Sequence, residues 1–229
     1  MKYKCVIFDC DGTLLDTLGD IAFSMNRSLA VYGYPVIETE KYRDMAGWGI
    51  YRLASLALPE NARTETNINT VGSFAARFME ELASGQQEEK SMTKPYPGIR
   101  ELVTELSNLK TPHSKKIVTA VLSNKPDSAL RCIINGHFPP AAFDAVLGLR
   151  PGMTAKPDPS MVWELLAEMG RLPQDTIFMG DSEIDMETAR NSGCFPLGVS
   201  WGFRSRATLE KAGAARIIDR PDELWEILN

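Results

Sequence analysis

A four-residue apolar run, Cys5-Val6-Ile7-Phe8, stops abruptly at Asp9-Cys10-Asp11-Gly12-Thr13. A strand with one wet face would alternate apolar and polar residues, so an unbroken β-branched run of this length reads as a strand buried on both faces. The pattern returns at Ile117–Leu122, which ends in Ser123-Asn124-Lys125-Pro126, and at Thr176–Met179, which ends in Gly180-Asp181-Ser182. Shorter runs at Ala145–Leu147, Pro196–Val199 and Ala215–Ile218 extend the series. Helical stretches separate them: Ile99–Leu109, Ser128–Gly136, Met161–Met169 and Ile184–Asn191, the last stopped by Gly193. This alternation predicts an α/β fold, a parallel sheet with helices on both faces.

One block breaks the alternation. From Asp16 to about Glu89 the spacing predicts no strand, only helices over Ile21–Val31, Glu38–Leu58 and Val71–Leu82. The second of these should break at Gly47-Trp48-Gly49, and Pro59–Asn69 is polar and undecided. An all-helical block between the first strand and Tyr96 reads as an insertion into the sheet-forming core.

With 229 residues, 44% of them hydrophobic, the chain can build such a core. A net charge of −5 argues against a broad basic surface for nucleic acid. It leaves room for a small anionic substrate, because a metal ion and lysines can reverse the field locally. No apolar stretch is long enough for a signal segment or a membrane span, so a cytoplasmic location is expected. Cys5, Cys10, Cys132 and Cys194 show no CxxC or zinc spacing and are expected to be free thiols. His113 and His137 have no partner that spacing identifies, and the Lys110–Lys116 loop is long.

The chemistry concentrates where the apolar runs end. In an extended backbone residues i and i+2 project to the same side, so Asp9 and Asp11 can face one reaction centre, with Gly12 permitting the chain to turn away sharply. One carboxylate can serve as a covalent nucleophile; a second, protonated, can donate to a leaving oxygen and later accept a proton from water. A carboxylate about 4 Å from a phosphate is repelled by roughly 4 kcal/mol at an effective dielectric of 20, which calls for a cation. Mg²⁺ takes carboxylate, water and phosphate oxygens, and Asp181 adds a carboxylate at the same sheet edge. Asp185 either orients that metal shell or caps a helix starting Ser182-Glu183-Ile184-Asp185, or does both. Ser123 can offer a hydroxyl and Asn124 a backbone N–H to a phosphate oxygen. Lys156, stiffened by Pro157 and Pro159, suits a phosphoryl group as a point charge.

The ordered set Asp9-x-Asp11-Gly12-Thr13, Ser123, Lys156-Pro157 and Gly180-Asp181-x-x-x-Asp185 resembles the haloacid dehalogenase superfamily over essentially the whole chain. Softer features resemble its phosphoglycolate phosphatase group: Leu14-Leu15-Asp16-Thr17, Ser123-Asn124-Lys125-Pro126, Ala189-Arg190-Asn191-Ser192-Gly193 and Ser200-Trp201-Gly202-Phe203-Arg204. The resemblance implies a Rossmann-like core over 1–15 and 94–229 and a mobile helical cap over 16–93. It further implies Asp9 as nucleophile and Asp11 as acid/base. Mg²⁺ would be held by Asp9, the main-chain carbonyl of Asp11 and Asp181, and phosphate bound by Ser123 and Lys156. Cys10 stands where such proteins more often carry a bulky apolar residue. An acid at position 11 favours cleavage of a C–O–P ester over dehalogenation, since a halide leaves without a proton.

Substrate choice is expected in the cap. The corner Gly47-Trp48-Gly49, flanked by Arg43 and Arg52, offers backbone N–H groups to a carboxylate or other small polar end, or is an ordinary helix–loop–helix corner. The expected partner is a small phosphorylated metabolite, 2-phosphoglycolate first among candidates, acted on by a monomer or homodimer without nucleic acid or membrane. Two other readings share the scaffold: a phosphosugar mutase resembling β-phosphoglucomutase, and a non-catalytic binding module. The module reading sits poorly with the retention of Asp9, Asp11, Lys156 and Asp181 together.

Overall fold

In the computed structural model, which describes residues 2–111, 114–115 and 117–228, the six strand runs form one parallel sheet. The strands are β1 (Cys5–Phe8), β2 (Val118–Pro126), β3 (Ala145–Leu149), β4 (Thr176–Gly180), β5 (Phe195–Val199) and β6 (Arg216–Ile218), in spatial order β6-β5-β4-β1-β2-β3. The first strand therefore lies inside the sheet, with β2 on one side and β4 on the other. Chain order reverses there, and open parallel sheets bind ligands outside the carboxyl ends at such a point.

Alternation along β1 divides the core. Val6 and Phe8 pack with Leu102, Val103 and Leu106 of α5 (Ile99–Asn108) and Leu130, Ile133 and Ile134 of α6 (Asp127–His137). On the other face, Cys5 and Ile7 pack with Met161, Val162, Leu165 and Leu166 of α7 (Ser160–Met169). Both faces are thus sealed by helices, as the apolar runs predict. β2 runs four residues past Leu122, through a register irregularity, so Ser123, Asn124 and Lys125 belong to the strand's end instead of a free loop.

Between β1 and α5 the chain builds α1 (Leu18–Val31), α2 (Tyr42–Met45), α3 (Ile50–Ala57) and α4 (Glu65–Ala83). Their apolar faces form a separate cluster whose one contribution from beyond residue 79, among the described residues, is Phe203. The chain crosses between the two parts through Leu15–Asp16 and Lys94–Pro95, paired antiparallel. Buried Asp20 fastens the crossings by accepting from the Ser91 and Thr93 hydroxyls and the Met92 N–H.

Three sequence expectations need adjustment. The helix expected over Glu38–Leu58 is three pieces, a 3-10 turn at Thr39–Lys41 followed by α2 and α3, because Ala46 is extended and Gly47 and Gly49 hold positive φ. α4 begins at Glu65, six residues before the expected Val71; the Thr64 hydroxyl caps it by accepting from Asn67 N–H, and its polar first turns carry no apolar period. Lys110–Thr111 pairs with Ser114–Lys115 as a small hairpin in the long loop, while His113 lies outside the described residues. Among the described residues no helix is long and apolar enough to cross a membrane, and all four cysteines are free.

Candidate active site

Register brings the motif residues together. Phe8 lies opposite Val121 and Met179, so Asp9 comes level with the ends of both neighbouring strands, and its N–H donates to Met179 O at 2.9 Å. Ser123 and Asp181 follow directly. Beyond Asp11 the loop turns tightly, with the N–H groups of Thr13, Leu14 and Leu15 all directed at Cys10 O. Gly12 has φ +83°, and a Cβ there would lie 2.3 Å from Asp181 Oδ2. Only glycine lets this loop pass against Asp181.

Lys156 is the hub. Its ammonium, 2% exposed, donates to Asp9 Oδ1 at 2.9 Å and to Asp185 Oδ1 at 2.7 Å. Asn124 fixes the lysine's backbone from both sides: Oδ1 accepts from Lys156 N–H at 2.8 Å, and Nδ2 donates to Lys156 O at 3.2 Å. The same Nδ2 reaches Gly47 O at 3.0 Å, tying the helical block to the sheet. Asp185 does two jobs. Its second oxygen accepts from the N–H and hydroxyl of Ser182, closing a capping box on α8 (Glu183–Ser192), while its first holds Lys156.

Three carboxylates, of Asp9, Asp181 and Asp185, present oxygen atoms within 4.8 Å of one another, all buried. Burial pushes Asp9 up to about 7, with Lys156 pulling it down and Asp185 and Asp11 pushing it further. Asp181 is driven well above the carboxylate range by burial, then by Asp185 and Asp9, against the Phe203 N–H that donates to it at 2.6 Å. Burial works to lower Lys156, but Asp185 and Asp9 raise it above its ordinary value. One ammonium is thus set against three acids, and burial, with the neighbouring acids adding to it, raises Asp9 and Asp181. A pocket of oxygen donors with surplus charge fits a hard divalent cation.

Asp11 turns aside from this group. Its two oxygens accept from the Lys125 ammonium at 3.0 and 3.1 Å. Lys125 is buried; burial lowers it, Asp11 raises it, and the balance is upward. Sequence reasoning left Lys125 without a role, although it stands two residues beyond Ser123 on a strand, where both side chains project to one side. Ser123 Oγ accepts from Lys125 N–H at 3.2 Å and keeps its own hydrogen to donate.

Asp9, Asp11, Ser123, Asn124 and Lys125 floor a cavity of about 40 Å³ that opens to solvent. Its roof comes from the helical block: Ile21, Ala46, Ile50, Leu53 and Met79, with Gly47 and Gly49 at the corner. Gly49 precedes α3 with φ +87°, so the helix's first turn starts at the cavity wall. Trp48, 38% exposed, and Arg52, also exposed, do not line it. Arg43 pairs with Glu40 and donates to Gly202 O. Cys10 is buried beneath the loop, and burial raises its thiol far enough to keep it neutral.

Strand tips that gather a buried acid cluster and Lys156 beside a roofed cavity, with Asp9 common to both, fit a hydrolase site. The haloacid dehalogenase-like hydrolase family matches residues 6–199, and the chain belongs to that family. Within it, the relatives place the chain in the phosphoglycolate phosphatase-like group, among the phosphatases. It is 26% identical over 225 residues to a phosphoglycolate phosphatase of Vibrio cholerae, covering 98% of this chain and 96% of that one. To the Haemophilus influenzae enzyme of the same name it is 27% identical over 234 residues, with 99% of each covered. A crystal structure from Lactobacillus delbrueckii, carrying the provisional name phosphoglycolate phosphatase, superposes with TM-score 0.84 at 32% identity, over 100% of this chain and 99% of that one.

Proposed function

We propose that this enzyme hydrolyses a small phosphomonoester, 2-phosphoglycolate first among candidates, through a phosphorylated Asp9. The observation that carries this reading is the approach of Lys156 to Asp9 at 2.9 Å inside a buried acid cluster. A carboxylate held there can attack phosphorus while the ammonium neutralises an equatorial oxygen. Ser123 Oγ–H and the Asn124 N–H orient the phosphoryl group. Asp11, once it has left Lys125 and taken up a proton, gives that proton to the departing oxygen and later takes one from the water that attacks the aspartyl phosphate.

Asp9, Asp181 and the main-chain carbonyl of Asp11 would hold Mg²⁺, with Asp185 supporting from its place on Lys156. When bound, the ion offsets the repulsion between carboxylate and phosphate. The chain's own part is to keep the acids clustered and dry.

Residues 16–93 act as a cap. Their apolar roof excludes water once closed, and the N–H groups of the α3 first turn at Gly49, which no side chain caps among the described residues, offer the carboxylate end of a short substrate a partner without a charged side chain. The test is release of inorganic phosphate from a panel spanning phosphoglycolate, sugar phosphates, nucleotides and pyrophosphate, with Mg²⁺ present. Wild type should release phosphate most efficiently from the short carboxylated ester, and Asp9→Ala should release none. Undiminished release by Asp9→Ala would reject the mechanism.

A further inference from the structure

One loop beyond the described catalytic groups touches both halves of the molecule. Residues 201–204 follow β5 and lie against the site from the core side. Phe203 N–H donates to Asp181 at 2.6 Å, and a Cβ on Gly202 would sit 2.2 Å from the Asp181 Cβ, so the loop is fitted to that acid. The next residue reaches away from the core. Arg204, 8% exposed, donates to the carbonyls of Arg43, Asp44 and Ala46, those of Asp44 and Ala46 at 3.2 and 2.9 Å, and holds Glu183 at 2.9 Å. These carbonyls lie at the C-terminal end of α2, where helix oxygens lack intrahelical partners. The grip is returned: Arg43 donates to Gly202 O at 3.2 Å, and its guanidinium lies 5.9 Å from the Phe203 ring.

We propose that Arg204 is a positioning residue that latches the helical cap closed and, in the same act, sets the Phe203 N–H on Asp181. The guanidinium supplies planar donors to three carbonyls while Glu183 fixes its near side, a fork geometry a lysine cannot reproduce. Closing the cap therefore aligns an acid of the divalent-cation site through the backbone between residues 203 and 204. Opening the cap takes the three carbonyls away from the guanidinium, and the loop loses its anchor on the far side. On the opposite flank Asn124 joins Gly47 O to Lys156, so the corner from residue 43 to residue 49 is registered against both the acid and the lysine sides of the site.

Cap position is read without turnover, which keeps this inference separate from the phosphatase reading on which its catalytic consequence rests. Spin labels go at exposed positions, Val36→Cys on the cap and Glu164→Cys on the core, in a Cys132→Ser background. Wild type should give one short inter-label distance. Arg204→Ala and Arg204→Lys should both shift population to a longer one, while circular dichroism stays native. In parallel, Arg204→Ala should raise the Mg²⁺ concentration for half-maximal phosphate release and lower kcat/KM for a short phosphomonoester by about 5- to 100-fold. Acetyl phosphate, whose small acyl group asks little of the cap, should suffer less. An unchanged distance distribution in a folded Arg204→Ala protein overturns the latch. A shifted distribution with an unchanged Mg²⁺ requirement overturns the link to Asp181. If wild type releases no phosphate from any ester, the enzymatic reading fails while the distance measurement still decides the latch.

Discussion

The floor and the roof of the cavity are built from opposite materials. The floor is charged and buried, and it is braced from beneath, where Lys156 holds Asp9 and Asp185 while Asn124 holds Lys156. The roof is Ile21, Ala46, Ile50, Leu53 and Met79, and its polar offering is backbone. A floor of this kind fixes which bond is broken and tolerates little change. A roof of this kind excludes water and measures the size of what enters, and it should be open to retuning.

The largest effect that would break this contrast concerns Lys156. Replacing it by alanine leaves Asp9 and Asp185 buried without their shared cation, and removing one partner of a buried pair costs about 3–5 kcal/mol. Lys156→Ala should therefore lose stability of that order in urea melts, and phosphate release should fall at least about a hundredfold. A roof substitution of similar volume change, such as Leu53→Ala, should keep the chemistry and shift the ranking of substrates. If Leu53→Ala and Lys156→Ala gave the same kinetic profile, the division of labour would be wrong.

Next in size is the response to Mg²⁺. Excess negative charge on the floor means that the ion should stabilise the folded protein by about 2.7 kcal/mol at a hundredfold excess over its dissociation constant. Thermal unfolding with and without Mg²⁺ measures this. Asp181→Asn should abolish most of the shift, and a roof variant should preserve it.

Much of the floor was legible in the sequence and little of the roof, for a physical reason. Asp9 and Ser123 stand directly after a short apolar run, and Asp181 and Asp11 one and two residues further on, so the strand that positions them also announces them. Asp185 announced itself as a helix cap. The groups that sequence reasoning passed over act across the chain: Lys125 on Asp11, 114 residues away, Asp20 on residues 91 to 93, and Arg204 on carbonyls 158 to 161 residues away. Their partners are backbone groups, hydroxyls or a distant acid, and no local period marks them. Helix limits slipped where the first turn is polar, as at Glu65, because an amphipathic pattern is visible only after apolar residues begin to recur.

Gly49 offers a finer probe of the roof. Its φ of +87° is a conformation that side chains adopt at a cost of about 1–3 kcal/mol, and an added Cβ would lie 3.5 Å from Asn124 O, within ordinary contact. Gly49→Ala should therefore disturb the corner by strain instead of collision. KM for a carboxylated ester should rise by about three- to tenfold, with kcat changing less, because the α3 N–H groups lose their aim while the floor is intact. A fall in kcat with KM unchanged would place the corner's influence on the chemical step.

The smallest expected effects belong to two side chains that the sequence made attractive. Trp48 sits between the two corner glycines and Arg52 in the first turn of α3, and both suggest recognition of an anion. Yet the corner turns its backbone to the cavity and these side chains to solvent, so that Gly47 and Gly49 line the wall and their neighbours do not. An exposed arginine on a helix's first turn is screened by water and salt, and such surface changes usually fall within about 0.5 kcal/mol. Trp48→Ala and Arg52→Ala should each leave kcat/KM for the best ester within about twofold of wild type, the kinetic equivalent of that energy. A tenfold rise in KM for either variant would mean that the roof reads substrate with side chains that swing inward on binding, and the contrast between a charged floor and an apolar roof would have to be redrawn.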